Sequence, residues 1–218
     1  MCGNTVAVTA AGAGPHDPAG DLGQRWSSLH HGIDPTAVPL VRRWLGLMWA
    51  GGRVLSRAGI PPTAVTAAGV ALAGGAVALA RDRPGPAAVA VIGAALCDGL
   101  DGATAVVGDR ATRSGALADA VADRLCDGAF AAVLWRRGAP SRAAATAAGL
   151  AWGVDTLRRV RHVPDRITVA ERPTFAICAA ATCAAAATTR ARWPAGLSAG
   201  VWIAAGIVGI GQVLRARR

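Results

Sequence analysis

An all-α integral-membrane bundle is the fold class this sequence predicts, with six transmembrane helices preceded by an amphipathic interfacial helix. Three observations lead there. Hydrophobic residues make up 53% of the 218, and the mean hydropathy is +0.38, high for a chain with only 4% aromatics. Much of that content is Ala and Gly, which favour insertion weakly, so the second observation carries more weight: uncharged runs recur near the roughly 17–25 residues that a membrane crossing needs. Third, Gly and Ala stud these runs, as they do where membrane helices pack without a hydrophobic drive. The length suits one domain, and no repeat of about 20–50 residues suggests a solenoid.

Residues 1–35 are rich in Gly, Pro, Asp and His and lack periodicity, which predicts a flexible tail with some order near Trp26 to Ile33. His16, His30 and His31 fall here; a solvated His30-His31 pair is expected, with metal binding as the alternative. The stretch has no apolar core segment, so no secretory signal is expected and insertion would use the first span. From 36 to 57, Val38, Val41, Trp44, Leu45, Met48, Val54 and Leu55 alternate at helical spacing with Arg42, Arg43, Arg53 and Arg57. That pattern predicts a helix in the membrane interface; a surface helix of a soluble bundle is the competing reading. Pro61-Pro62 then breaks the chain. The predicted spans are about 63–80, 86–107, 115–135, 141–157, 173–189 and 194–214.

The net charge of +10 comes wholly from 23 Arg, with no Lys and a single Glu, a skew we read as genomic base composition. Nucleic-acid binding is not expected, because the Arg residues cluster between apolar runs and form no continuous stripe. Their placement predicts an orientation. Fifteen lie on the side holding the N-terminus, the 108–114 and 158–172 loops and the C-terminus, against seven on the other. The first side is therefore expected in the cytoplasm, in a cell membrane. Cys2, Cys97, Cys126, Cys178 and Cys183 include no Cys-x2-Cys pair and no His at ligand spacing, so reduced, space-filling thiols are expected.

Between residues 98 and 123, in the second and third spans, stand four carboxylates, Asp98, Asp101, Asp119 and Asp123. Spacings of i, i+3 and i, i+4 project each pair from one helical face. Gly102, Ala105 and Gly115 lie on the same faces and leave room beside the acids. Ionisable groups inside a span are functional by default, and four like charges in low dielectric would repel unless cations bound them. Oxygen ligands favour hard ions, Mg2+ or Mn2+. Two such ions could bind a diphosphate and stabilise phosphoryl chemistry.

Written as a pattern, the stretch is Asp98-x2-Asp101-Gly102-x2-Ala105-x9-Gly115-x3-Asp119-x3-Asp123. It closely resembles the signature of the CDP-alcohol phosphatidyltransferases, membrane enzymes of phospholipid synthesis. One letter departs: the family has Arg after the Ala, and here that position is Val106, so either Arg110 or Arg113 substitutes or activity is reduced or redirected. The resemblance implies six spans, a homodimer, and transfer of a phosphatidyl group from CDP-diacylglycerol to an alcohol with release of CMP. By it, Asp98, Asp101, Asp119 and Asp123 would hold two Mg2+ or Mn2+ ions, and Asp123 would also take the acceptor's proton. Asp98, Gly102, Ala105 and Gly115 would surround the cytidine and ribose, with Thr66 lining the same pocket.

The run Asp123-Arg124-Leu125-Cys126-Asp127-Gly128-Ala129 is similar to one in actinobacterial phosphatidylinositol-phosphate synthases. Asp127 is expected to pair with a polar neighbour, with Arg124 the candidate. Arg158, Arg159, Arg161 and Arg166, followed by Glu171-Arg172-Pro173, form the densest basic loop. Arg158, Arg159 and Arg172 could bind a phosphorylated acceptor such as inositol phosphate or glycerol phosphate. The positive-inside rule alone would also produce such a loop. Asp155 could orient one of these arginines. Two other readings stay open: an intramembrane prenyltransferase, which also uses Asp-rich helices, and a non-catalytic scaffold or divalent-cation site.

Overall fold

The computed structural model describes residues 39–110, 112–161, 172–189 and 193–215, and every regular element among them is an α-helix. These are α1 (Pro39–Arg57), α2 (Pro62–Leu79), α3 (Pro84–Val107), α4 (Arg113–Arg136), α5 (Ser141–Arg161), α6 (Arg172–Thr189) and α7 (Trp193–Arg215). The expectations for residues 1–35, Cys2, Arg166 and Glu171 lie outside the described residues.

Local chemistry explains where the helices start and stop. Pro62, Pro84, Pro173 and Pro194 stand in the first two positions of α2, α3, α6 and α7, where a missing N–H costs no helical hydrogen bond. Three helices end in the same two-bond motif. After α1, Ile60 N–H donates to Leu55 C=O at 3.0 Å and Gly59 N–H to Ser56 C=O at 3.1 Å. The same pair of bonds closes α3 around Asp109 and α4 around Gly138. All three pivots have positive φ, 74°, 51° and 111°, and Asp is among the few side-chain-bearing residues that tolerate it.

α3 lies at the centre, packed against α1, α2 and α6, while α2 also meets α4, and α5 and α6 both pack on α7. The interior is mostly alanine: Ala76, Ala87, Ala147, Ala179 and Ala199 are completely buried, around a few large side chains such as Phe130, Leu134 and Trp202. Phe175 of α6 stacks on Trp202 of α7 with ring centroids 4.4 Å apart. Close approach has its own residues. A Cβ on Gly52 would lie 2.9 Å from the backbone carbonyl carbon of Ala103, and one on Gly69 would lie 3.0 Å from Cys97 Cβ, so α1 and α2 both reach α3 through glycine. α1 buries Met48 and Trp49 against Ala103 and leaves Trp44, Leu47 and Val54 exposed. Trp49 was not among the apolar positions expected to define that helix. Cys97, Cys126, Cys178 and Cys183 are free thiols, half-buried or buried.

Large apolar side chains lie on the exterior as well as inside. Val89, Ile92, Leu117, Val121, Ile177 and Leu197 are all more than half exposed. So many exposed large apolar side chains suit a membrane protein. Among the described residues three helices, α2, α3 and α7, are long and apolar enough to cross a membrane, with mean hydropathies of 1.6, 1.5 and 1.8 over their best windows. Length and composition alone thus mark three spans of the six expected. α4 and α5 carry Asp and Arg, and α6 opens on Arg172 and is largely Ala and Thr, which lowers their apolar character.

Candidate active site

α3 ends at Val107 and α4 begins at Arg113, and the acids sit near those ends. Asp98 lies nine residues before the end of α3 and Asp119 six after the start of α4. At 1.5 Å per residue both stand about 9–14 Å from those ends. Arg159, in the last turn of α5 with Arg158 and Arg161, shares Asp155 with Arg124 of α4, and Arg172 at the start of α6 reaches Asp98 and Asp123, so both helix ends lie beside the acids.

Three of the four predicted acids converge. One oxygen each of Asp98, Asp119 and Asp123 lies within 4.8 Å of the others, a spacing that a single cation can bridge. Asp101 is buried, 5% exposed, and is held from two sides: Thr66 Oγ1 donates to its Oδ2 at 2.6 Å, and the Gly102 N–H donates to its Oδ1 at 2.6 Å. Thr66 therefore touches the site through Asp101. Its contact depends on the close α2–α3 approach at Gly69.

The small residues differ in what they do locally. Gly102 faces open space among the described residues, with no atom from another element within 4 Å of a notional Cβ. Ala105 is half-buried, and its carbonyl accepts from Arg110 N–H at 2.9 Å to close α3. Gly115 belongs to the α4 cap: its N–H donates to Thr112 Oγ1 at 3.0 Å, and a Cβ there would press on that oxygen.

Arg172 is the residue whose position sequence reasoning placed least well. Expected in an acceptor-binding loop, its guanidinium instead lies among the acids, with Nη1 bonded to Asp98 Oδ1 and 2.5 Å from Asp123 Oδ1, and Nε 3.6 Å from Asp127 Oδ1. The signal available was Pro173, which marks residue 172 as a helix start at the level of the carboxylates. Arg124, the expected partner of Asp127, is instead bonded to Asp155 and lies 4.0 Å from Asp123. Asp155 also accepts from Arg159 Nε at 2.8 Å, so it joins α4 to the basic end of α5. Among the described residues no ion pair links Arg110 or Arg113 to these acids, and Arg172 supplies the nearby positive charge.

The site thus combines oxygen ligands suited to a hard divalent ion, open space beside Gly102, and arginines beside the acids. Residues 60–211 match the CDP-alcohol phosphatidyltransferase family. Two solved structures of the phosphatidylinositol phosphate synthase of Mycobacterium tuberculosis resemble the chain at 26% identity. One, in complex with manganese and citrate, has a TM-score of 0.62 and covers 78% of this chain and 88% of that one. The other, with CDP-DAG bound, has a TM-score of 0.60 and covers 78% and 90%. No curated protein matches the sequence.

Proposed function

The chain belongs to the CDP-alcohol phosphatidyltransferase family, and from that premise we propose that it transfers a phosphatidyl group from CDP-diacylglycerol to an alcohol, releasing CMP. The observation that carries the reading is the convergence of Asp98, Asp119 and Asp123 across two helices, with their oxygens within 4.8 Å. Mg2+ or Mn2+ fits this donor set, and the structural relative was solved with manganese. Asp98, Asp119 and Asp123 would hold the metal, with Asp101 completing the set for two ions and Thr66 orienting it. When bound, the ions neutralise the diphosphate and stabilise charge on the attacking and leaving oxygens.

The remaining work falls to the chain. Asp123 takes the proton of the acceptor hydroxyl as that oxygen bonds to the phosphorus attached to the lipid. The bond from this phosphorus to the CMP oxygen breaks, and CMP leaves. Gly102, Ala105 and Gly115 provide small residues along the acidic faces where the cytidine and ribose would lie. The acceptor we infer is a phosphate-bearing alcohol, such as inositol phosphate or glycerol phosphate. In support, Arg172 lies among the acids, Arg159 shares Asp155 with Arg124 and is next to Arg158 in the last turn of α5, and guanidinium forks match phosphate oxygens. The same reading gives six spans, a homodimer, and a site facing the cytoplasm of the cell membrane.

Purified protein incubated with labelled CDP-diacylglycerol, Mn2+ and a panel of neutral and phosphorylated alcohols tests this directly. CMP release with a lipid product from a phosphorylated acceptor is expected. A product from neutral alcohols alone would reject the arginine-based acceptor assignment, and no CMP with any alcohol would reject the transferase reading.

A further inference from the structure

Arg172 occupies two of the three carboxylates that would ligate a metal. Its Nη1 bonds Asp98 and lies 2.5 Å from Asp123, and these acids share the 4.8 Å cluster with Asp119. The seat is well enclosed, with the Arg172 side chain 17% exposed. It is also imperfect. Arg172 Nε and Asp127 Oδ1 face each other at 3.6 Å, and both are buried with no hydrogen-bond partner among the described residues. A permanent structural ion pair in this setting would be expected to satisfy those atoms.

The guanidinium cannot leave by losing its proton, because arginine stays charged in proteins. It can leave only by moving. Arg172 is the first residue of α6, where the backbone N–H has no partner within the helix and the side chain hangs from the helix end. We infer that Arg172 is the resident cation of this site in the metal-free protein, and that its guanidinium swings off Asp98 and Asp123 as divalent ions arrive, becoming free to hold an anionic group of the acceptor. This rests on the metal reading above. It adds an order of events: the acceptor's anion site forms only once the metal site is filled.

The exchange can be read without turnover, by titrating lipid-free protein with Mn2+ and following the free ion by electron paramagnetic resonance. Arg172→Gln should bind Mn2+ about tenfold more tightly than wild type, as expected from removing a competing contact of about 1.4 kcal/mol. In wild type, inorganic phosphate should tighten Mn2+ binding, and Mn2+ should tighten phosphate binding by the same factor. Arg172→Gln should abolish that coupling. Arg172→Lys keeps the charge without the fork, so it should retain weakened coupling, and it serves if the Gln variant fails to fold. Unchanged or weaker Mn2+ binding by Arg172→Gln, or coupling that survives in it, would overturn the exchange. Wild type that binds no Mn2+ at all would instead overturn the metal site itself, and the exchange with it.

Discussion

The acid-bearing end of the bundle and its alanine-packed interior are held together by different physics. At the first, a few directional contacts between named atoms set the geometry: Thr66 to Asp101, Arg172 to Asp98 and Asp123, and Asp155 to Arg124 and Arg159. In the second, Ala147, Ala179, Ala199 and their neighbours contribute little but small volume, and helices approach because nothing keeps them apart. The difference teaches what each region can tolerate. The acidic end should accept changes of shape poorly matched by charge least of all, whereas the interior should respond chiefly to added bulk.

The sharpest way to break that contrast is an isosteric change at the acidic end. Asp123→Asn removes the proposed base while keeping its size, and should lower CMP release by about 10²–10⁴-fold with thermal unfolding in detergent little altered. Equal release by wild type and variant would remove Asp123 from that role. Thr66→Val should leave the helices in place but free the Asp101 carboxylate, weakening Mn2+ binding about 10–100-fold in a titration, as the loss of an outer partner to a metal ligand does.

A change of volume should do the reverse. Ala147→Leu puts extra carbons where none fit and should destabilise the protein by about 1–3 kcal/mol, measured by thermal unfolding, with metal affinity per folded molecule unchanged. Asp155→Asn gives the smallest expected effect. It loosens Arg124 and Arg159 together and should raise KM for a phosphorylated acceptor about tenfold, or about 1.4 kcal/mol, with kcat nearly constant. Loss of kcat instead would place Asp155 in the chemistry.

The acidic pattern was legible because helical periodicity converts spacing directly into a shared face. Asp98 and Asp101 one turn apart, and Asp119 and Asp123 one turn apart, could point nowhere else once the helices formed. The helices themselves followed from the length of the uncharged runs and from the Pro61-Pro62 break. Arg172 was not legible in the same way: its partners lie 74 and 49 positions earlier in the chain, and only the packing of α6 against α3 and α4 brings them within reach. Arg124 illustrates the same limit. Its helix offers both Asp123 and Asp127 as neighbours, yet Asp155 of α5 takes it. The sequence offered Arg124 as a candidate partner for one acid and Asp155 as a candidate holder of an arginine, but the choice of partner is tertiary.

An interior of alanine beneath a coat of leucine, isoleucine and valine has a thermal consequence. When such helices come apart within lipid, little hydrocarbon passes from a dry setting into water, so the usual source of a large heat-capacity increment is missing. Separation of the helices in a bilayer should accordingly show an enthalpy that barely changes with temperature, and the bundle should lose little strength on cooling.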